Sequence, residues 1–198
     1  MTNSKGLALD AFTGKELSKE IARTLPELPE GWKWVRLRDI CVRIVDRDHR
    51  TPTYVEKGVP LISPENFTET GVSFKNTRYI SEEDYLKETK RCDPYVNDIL
   101  YSRIGTIGEP RIVDFNRKFV PLHSIVLIRP NPRFVLPKFL LFSLRTGAVR
   151  KQAKEGTKSI GTPDLGIRAI RSFIIPLPPI EEQKLIVARI EEILSRVE

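Results

Sequence analysis

Residues 174–187, IIPLPPIEEQKLIV, hold the change of pattern on which the rest of the reading turns. Ser172-Phe-Ile-Ile-Pro176 is strand-like, and Pro176, Pro178 and Pro179 stop any regular structure there. Beyond them Val187, Ile190, Leu194 and Val197 recur three, four and three residues apart, with Ile186 and Ile193 widening the same stripe. That spacing predicts an amphipathic helix over 180–198 with a coiled-coil-like seam. Its roughly two and a half heptads are too few to be stable alone. The apolar face must pack either on another molecule, with the helix projecting, or on the chain's own core. The pattern is compatible with both.

Working back from this junction, the chain alternates short apolar runs with turn residues. Thr162-Pro-Asp-Leu165 reads as the cap of a short helix, and Gly156-Thr-Lys-Ser-Ile-Gly161 as a flexible basic loop. Helices are expected over Pro137–Leu144, with proline in the first turn, and over Ala148–Lys154. Ser124–Arg129 is a strand. Asp98–Gly105 and Ile107–Val113 form a hairpin with Gly105 and Gly108 at its tip. Ser81-Glu-Glu-Asp84 opens a helix, its hydroxyl as N-cap and acids in the first turn. Val59-Pro-Leu-Ile-Ser63 and Lys33–Leu37 are strands, whereas Val42–Val55, polar and ending at Pro52, reads as an exposed loop. Leu7, Leu9, Phe12 and Leu17 hint at a frayed helix before Pro26 and Pro29. The expected fold is α+β: a twisted mixed β-sheet with flanking helices and a protruding C-terminal amphipathic helix. The expected segments are 1–27 as a helical linker, 28–179 as the main domain and 180–198 as the terminal helix.

Composition narrows the function. The chain has 198 residues, 40% of them apolar and 30% charged, which suits one folded domain plus an appendage. The net charge is +7 and is unevenly spread. Residues 180–198 carry five acids and three bases, so the remainder holds +9, and residues 145–171 alone hold seven bases against two acids. A basic body with a near-neutral helical tail suits a polyanion-binding domain that carries a protein-contact element, and a generic basic surface would look the same by charge alone. The two cysteines, Cys41 and Cys92, form no metal-ligand spacing and fit structural burial. With no leader or membrane-spanning stretch visible, a cytoplasmic location is expected.

Four stretches resemble one family. Leu28-Pro-Glu-Gly-Trp-Lys-Trp-Val35 looks like the start of a target recognition domain of type I restriction–modification specificity subunits. Asp48-His-Arg-Thr-Pro52 and Asn97-Asp-Ile-Leu-Tyr-Ser-Arg-Ile-Gly-Thr-Ile-Gly108 resemble the loop and hairpin entry of such domains, and residues 174–187 resemble the family's strand–proline–helix junction. The order is right over residues 28–197. The family's complete subunits usually carry two recognition domains separated by long helices. This chain shows one, and Leu7–Leu17, with Ala11-Phe-Thr-Gly-Lys15, looks like the tail of a central spacer. A second half, a natural half-subunit and a piece of a longer chain all fit. The resemblance implies a non-catalytic chain that binds half of a bipartite site in double-stranded DNA. It implies docking of methyltransferase subunits, which bind S-adenosylmethionine themselves, and of a restriction subunit. No cofactor or metal is implied on this chain. The helix would pair with a second half-subunit, as in a homodimer, through Ile186, Val187, Ile190, Ile193, Leu194 and Val197.

The residues argue separately against catalysis. Asn131-Pro-Arg-Phe134 resembles the Asn-Pro-Pro-Tyr/Phe motif of adenine methyltransferases but lacks its second proline, so a plain turn is the better reading. Gly105-Thr-Ile-Gly108 sits in a hairpin and not at a helix start, which makes it a poor phosphate cradle. Neither His49 nor His123 has a nucleophile partner in sequence, and Asp93, Asp98 and Glu109 beside turns do not make a nuclease. DNA reading asks instead for cations, hydroxyls and amides on loops held by a rigid sheet. Three loops offer them: Arg47, His49, Arg50 and Thr51; then Ser102, Arg103 and Thr106; then Lys154, Thr157, Lys158 and Ser159. Arg50 and Arg103 are the candidates for base readout, Lys154 and Lys158 for phosphate contact, and Lys90 and Arg91 are weaker candidates. A stand-alone DNA-modifying enzyme and a protein-interaction module without DNA binding are the competing functions.

Overall fold

The computed structural model describes residues 17, 21, 23–47, 52–158 and 161–196. Strands and helices alternate as β1 (Lys33–Arg36), β2 (Cys41–Asp46), β3 (Tyr54–Val55), β4 (Val59–Ile62), β5 (Arg78–Ile80), α1 (Glu82–Glu88), β6 (Ile99–Ser102), β7 (Pro110–Ile112), β8 (Val120–Pro121) and β9 (Ile125–Pro130). They continue as α2 (Pro137–Arg145), α3 (Gly147–Gly156), β10 (Thr157–Lys158), β11 (Asp164–Leu165), α4 (Ile167–Arg171), β12 (Ile174–Leu177) and α5 (Ile180–Leu194). The architecture is the expected α+β, but it has two four-stranded sheets rather than one. The first runs β2-β9-β6-β7 and is antiparallel throughout. The second runs β3-β5-β4-β8 and is mixed, since β4 and β8 are parallel.

The central strands β6 and β9 are apolar at nearly every position because both faces of their sheet are covered. Ile99, Tyr101, Val126 and Ile128 point into a core shared with Phe139, Leu140 and Leu144 of α2, Val149 of α3 and Ile170 of α4. The alternate residues Leu100, Ile125 and Leu127 point the other way, toward Ile62 of the second sheet and Phe119. There Phe74, Phe115 and Phe119 pack with centroids 5.0 to 6.1 Å apart. Each fully buried aliphatic side chain contributes about 1.5–3 kcal/mol relative to exposure.

Two of the quoted stretches turn out to be one structural unit. β1 pairs antiparallel with β12, placing Trp34 opposite Pro176 and Val35 opposite Ile175. Gly31 takes φ +81° beside Pro179, and Trp32 Nε1 donates to Glu182 Oε2 at 2.9 Å. The opening Gly-Trp turn therefore clamps the proline junction from which the last helix starts. That helix is held to the body by Gln183, which is fully buried. Its Oε1 accepts from Leu136 N, and its Nε2 donates to Phe134 O and Pro178 O, all at 2.9 Å.

Several expectations need correction. Residues 41–46 are strand β2, not exposed loop; Cys41 and Ile44 are buried, a bulge between Cys41 and Arg43 breaks the alternation, and Arg43 is neutralised by Asp93 at 2.5 Å. Thr157–Lys158 pairs with Asp164–Leu165, so part of the basic loop is a ribbon. The short helix begins at Ile167 with Gly166 as its N-cap, and not on residues 162–165. The last helix combines both readings of its face. Val187 is buried and Ile186 partly buried against the chain's own core, while Ile193 and Leu194 are about half exposed beyond it. Ile190 lies between, and Lys138 ties α2 to Glu191. Val197 and residues 7–15 lie outside the described residues.

Candidate nucleic-acid interface

The hairpin β6–β7 builds the centre of the site. Gly105 and Gly108 take φ +75° and +88°, values that a side chain disfavours, and leave Thr106 exposed between them. Gly105 N donates to Pro163 O at 3.1 Å, and Ile104 bridges to Asp164, so the hairpin tip is fastened to the β10–β11 ribbon. Residues 104–106 wall a cleft of about 850 Å³, whose other side carries Tyr54, Asn66, Lys75, Asn76 and Arg78. Residues 107–109 wall a second depression of about 480 Å³, together with Arg150, Lys154, Thr157 and Pro163. The tip is thus a ridge between two hollows, and two of the predicted loops adjoin it: Thr106 is on the second, and Lys154 and Thr157 belong to the third.

Not every residue of those loops faces solvent. Arg103 is 5% exposed and serves as a hub. Its Nε donates to Leu165 O at 3.1 Å, and its terminal nitrogens donate to His123 O at 3.1 Å and Asp164 Oδ1 at 2.6 Å. Asp46 Oδ2 lies 3.7 Å away. A guanidinium with these donors engaged is not placed to read a base, which corrects the expectation for Arg103. Arg47 is likewise buried, its Nε 3.0 Å from Glu88 Oε2. Ser102 is buried and accepts from Glu109 N at 2.9 Å. These three hold loops in place. Arg91, just past α1, donates to Asp46 O at 3.1 Å and Asp46 Oδ1 at 3.3 Å and joins the same network, while Lys90 is exposed.

The exposed candidates are Thr106, Lys154 and Lys158, with Thr157 half-buried and its hydroxyl donating to Ala153 O. His49, Arg50, Thr51 and Ser159 lie outside the described residues. The chain on either side of residues 48–51 is firmly held, by Arg47 at one end and at the other by Thr53 N, which donates to Asp84 Oδ2 at 2.7 Å. That bond is the main cause holding the Asp84 carboxyl below its ordinary range. Ser81 Oγ in turn accepts from Asp84 N, as the capping pattern predicts.

Sequence reasoning missed the far wall of the cleft. Lys75 and Arg78 are exposed, Asn76 takes the left-handed φ of +56°, and Ser124 Oγ on the cleft is buried with no hydrogen-bond partner among the described residues. The run Lys75-Asn-Thr-Arg78 carried the signal: two cations and a turn-forming Asn within four residues. Among the described residues no group of three or more His, Cys, Asp or Glu is arranged to hold a metal ion. None of the described helices is long and apolar enough to cross a membrane. Asn131 is buried, and its Oδ1 accepts from Arg133 N at 3.1 Å, so residues 131–134 form a side-chain-capped turn.

The profile of the family described as type I restriction modification DNA specificity domain matches residues 29–198. The chain is 26% identical over 175 residues to the type I restriction enzyme EcoBI specificity subunit of Escherichia coli, which covers 85% of this chain and 36% of that protein. The chain therefore spans little more than a third of that relative's length. Among solved structures, the HsdS subunit from Thermoanaerobacter tengcongensis superposes with a TM-score of 0.66 at 22% identity, covering 87% of this chain and 44% of the other. A chain from a structure concerned with complex assembly and conformational transition of the type I R-M system gives 0.68 at 22% identity, covering 90% and 43%. At these identities the structural likenesses establish the fold.

Proposed function

This chain belongs to the type I restriction–modification DNA specificity domain family, and from that premise we propose that it reads one half of a bipartite DNA target. The observation that carries the reading is the convergence at the Gly105–Gly108 tip. An exposed hydroxyl, the Lys75 and Arg78 wall and the segment that begins at Lys154 all adjoin one ridge, on a framework tied together by the ion pairs of Arg103. Lys75, Lys154 and Lys158 have no ion-pair partner among the described residues, so their charge is available to phosphates. Thr106, exposed at the tip, is offered to base edges.

In the same reading the chain is non-catalytic and binds no cofactor of its own. Methyltransferase subunits, carrying S-adenosylmethionine, and a restriction subunit dock through the terminal helix and its surroundings. Ile190, Ile193 and Leu194 form the contact stripe, because Val187 and much of Ile186 are committed to the chain's own core. A second half-subunit packs on that stripe, giving two recognition domains related by a two-fold axis.

The test is to express the chain with its modification subunit and map methylated adenines across a genome. One interrupted sequence should be modified, and Lys154→Glu with Lys158→Glu should abolish the pattern while the chain stays folded. Methylation that ignores sequence, or that survives both charge reversals unchanged, contradicts the proposal.

A further inference from the structure

We propose that Arg78, held over the ring of Tyr54 at the rim of the larger cleft, is a base-reading residue that takes a guanine edge of the target duplex. The inference rests on the DNA-reading function above and adds a specificity determinant to it. Six arginines around the sheets, Arg43, Arg47, Arg91, Arg103, Arg111 and Arg129, spend their guanidinium groups on carboxylates or carbonyls of the chain itself. Arg78 does not. It is exposed, has no carboxylate partner among the described residues, and its guanidinium carbon lies 5.3 Å from the centroid of Tyr54.

The backbone explains that placement. Tyr54 stands opposite Ile80 in the β3–β5 pair, so Arg78, two residues earlier, is its diagonal neighbour on the same face. The cation–π contact restrains the guanidinium beside the cleft and so lowers the rotamer entropy lost on binding. Several polar side chains line the cleft beside it. Lys75 and the left-handed Asn76 stand on the same wall, and Ser124, whose buried hydroxyl has no partner among the described residues, also lines it. A sugar–phosphate ridge seated in this cleft, contacted by Lys75, would set Arg78 on one rim and Thr106 on the other against the adjoining groove. A planar fork with two parallel donors matches guanine O6 and N7.

The test selects bound duplexes from a library with a randomised central segment, using the full chain at low salt. The wild-type chain should enrich a short motif containing guanine, with the guanine position preferred roughly 5- to 150-fold over other bases. Arg78→Ala and Arg78→Lys should both lose the preference at that one position and keep the rest of the motif; Tyr54→Ala should weaken it, and Tyr54→Phe should preserve it. Lys75→Ala should weaken every sequence equally. If Arg78→Lys retains the full preference, or Arg78→Ala leaves the motif intact, Arg78 contacts phosphate or nothing, and the inference is overturned while DNA reading stands. If the wild-type chain enriches no motif at all, the DNA-reading function itself fails and takes the inference with it.

Discussion

Replacing Arg103 by Met keeps an unbranched apolar stem and removes the guanidinium with its charge and donors, so the loss can be worked out from the contacts it makes. Two backbone carbonyls, Leu165 O and His123 O, lose a charged donor at 3.1 Å, and such bonds contribute about 1.5–3 kcal/mol each in mutational series. The Asp164 pair is weaker than its 2.6 Å separation suggests, because that carboxylate is 44% exposed and screened by water; about 0–1 kcal/mol is appropriate. Asp46 is largely buried but keeps Arg91 at 3.3 Å, so it is not stranded as a lone charge. The losses are not additive, since the carbonyls recover water through local opening, and about 3–4 kcal/mol is expected. For a chain of this size that lowers the melting temperature by roughly 6–16 °C. Urea unfolding followed by tryptophan fluorescence gives the free energy directly, as Trp32 and Trp34 sit on the β1–β12 clamp. The folded fraction of the variant should also bind DNA with less sequence preference, because the 163–165 ribbon keeps its backbone bonds to the hairpin but loses the side-chain ties. A loss under about 1 kcal/mol with target preference unchanged would refute the hub. A stable variant that loses only target preference would restore Arg103 to direct reading.

Gln183→Ala leaves Leu136 N, Phe134 O and Pro178 O without their side-chain partner beneath the terminal helix, so it should cost about 2–4 kcal/mol and increase hydrogen exchange across 180–194 first. Unchanged exchange there would show that the helix is held by other contacts. Both cysteine thiols are raised by burial, Cys92 from 9.0 up to about 12. At pH 8 the native chain should therefore react with an alkylating reagent some thousandfold more slowly than a free thiol, and both cysteines should react on unfolding. Because the folded thiol holds its proton more tightly than the unfolded one, its stabilising contribution is complete below about pH 9 and is lost as pH rises toward 12. Rapid labelling of the folded chain at pH 8 would contradict this burial.

Local chemistry made much of the framework legible. Ser81, the glycines of the hairpin tip and the Pro178-Pro179 pair act through their immediate neighbours and do in the fold what their residue types dictate, whereas Pro176 lies inside the strand it is expected to end. Strand β2 was hidden because a bulge shifts its alternation and because Arg43 looks solvent-bound until Asp93 is brought beside it. The inward course of Arg103 is hidden for the same reason. An arginine beside a glycine turn suggests a reaching side chain, and only the tertiary fold delivers Asp46 and Asp164 to neutralise it. Lys75 and Arg78 were passed over because their cleft is made of segments far apart in sequence, from Tyr54 to Ser124. The sequence shows the charge of a binding face more readily than which charges the protein has already used.

The central claim is that the unpaired cations around the hairpin ridge hold a DNA backbone. It is tested most directly by titrating the purified chain with duplex DNA over a range of salt concentrations. The logarithm of affinity should fall linearly with the logarithm of salt, and Lys75→Ala, Lys154→Ala and Lys158→Ala together should make that slope shallower by about 2.7, or about 0.9 for each phosphate contact removed. A wild-type slope near zero, or a slope that the triple variant leaves unchanged, would mean that this surface does not carry the DNA.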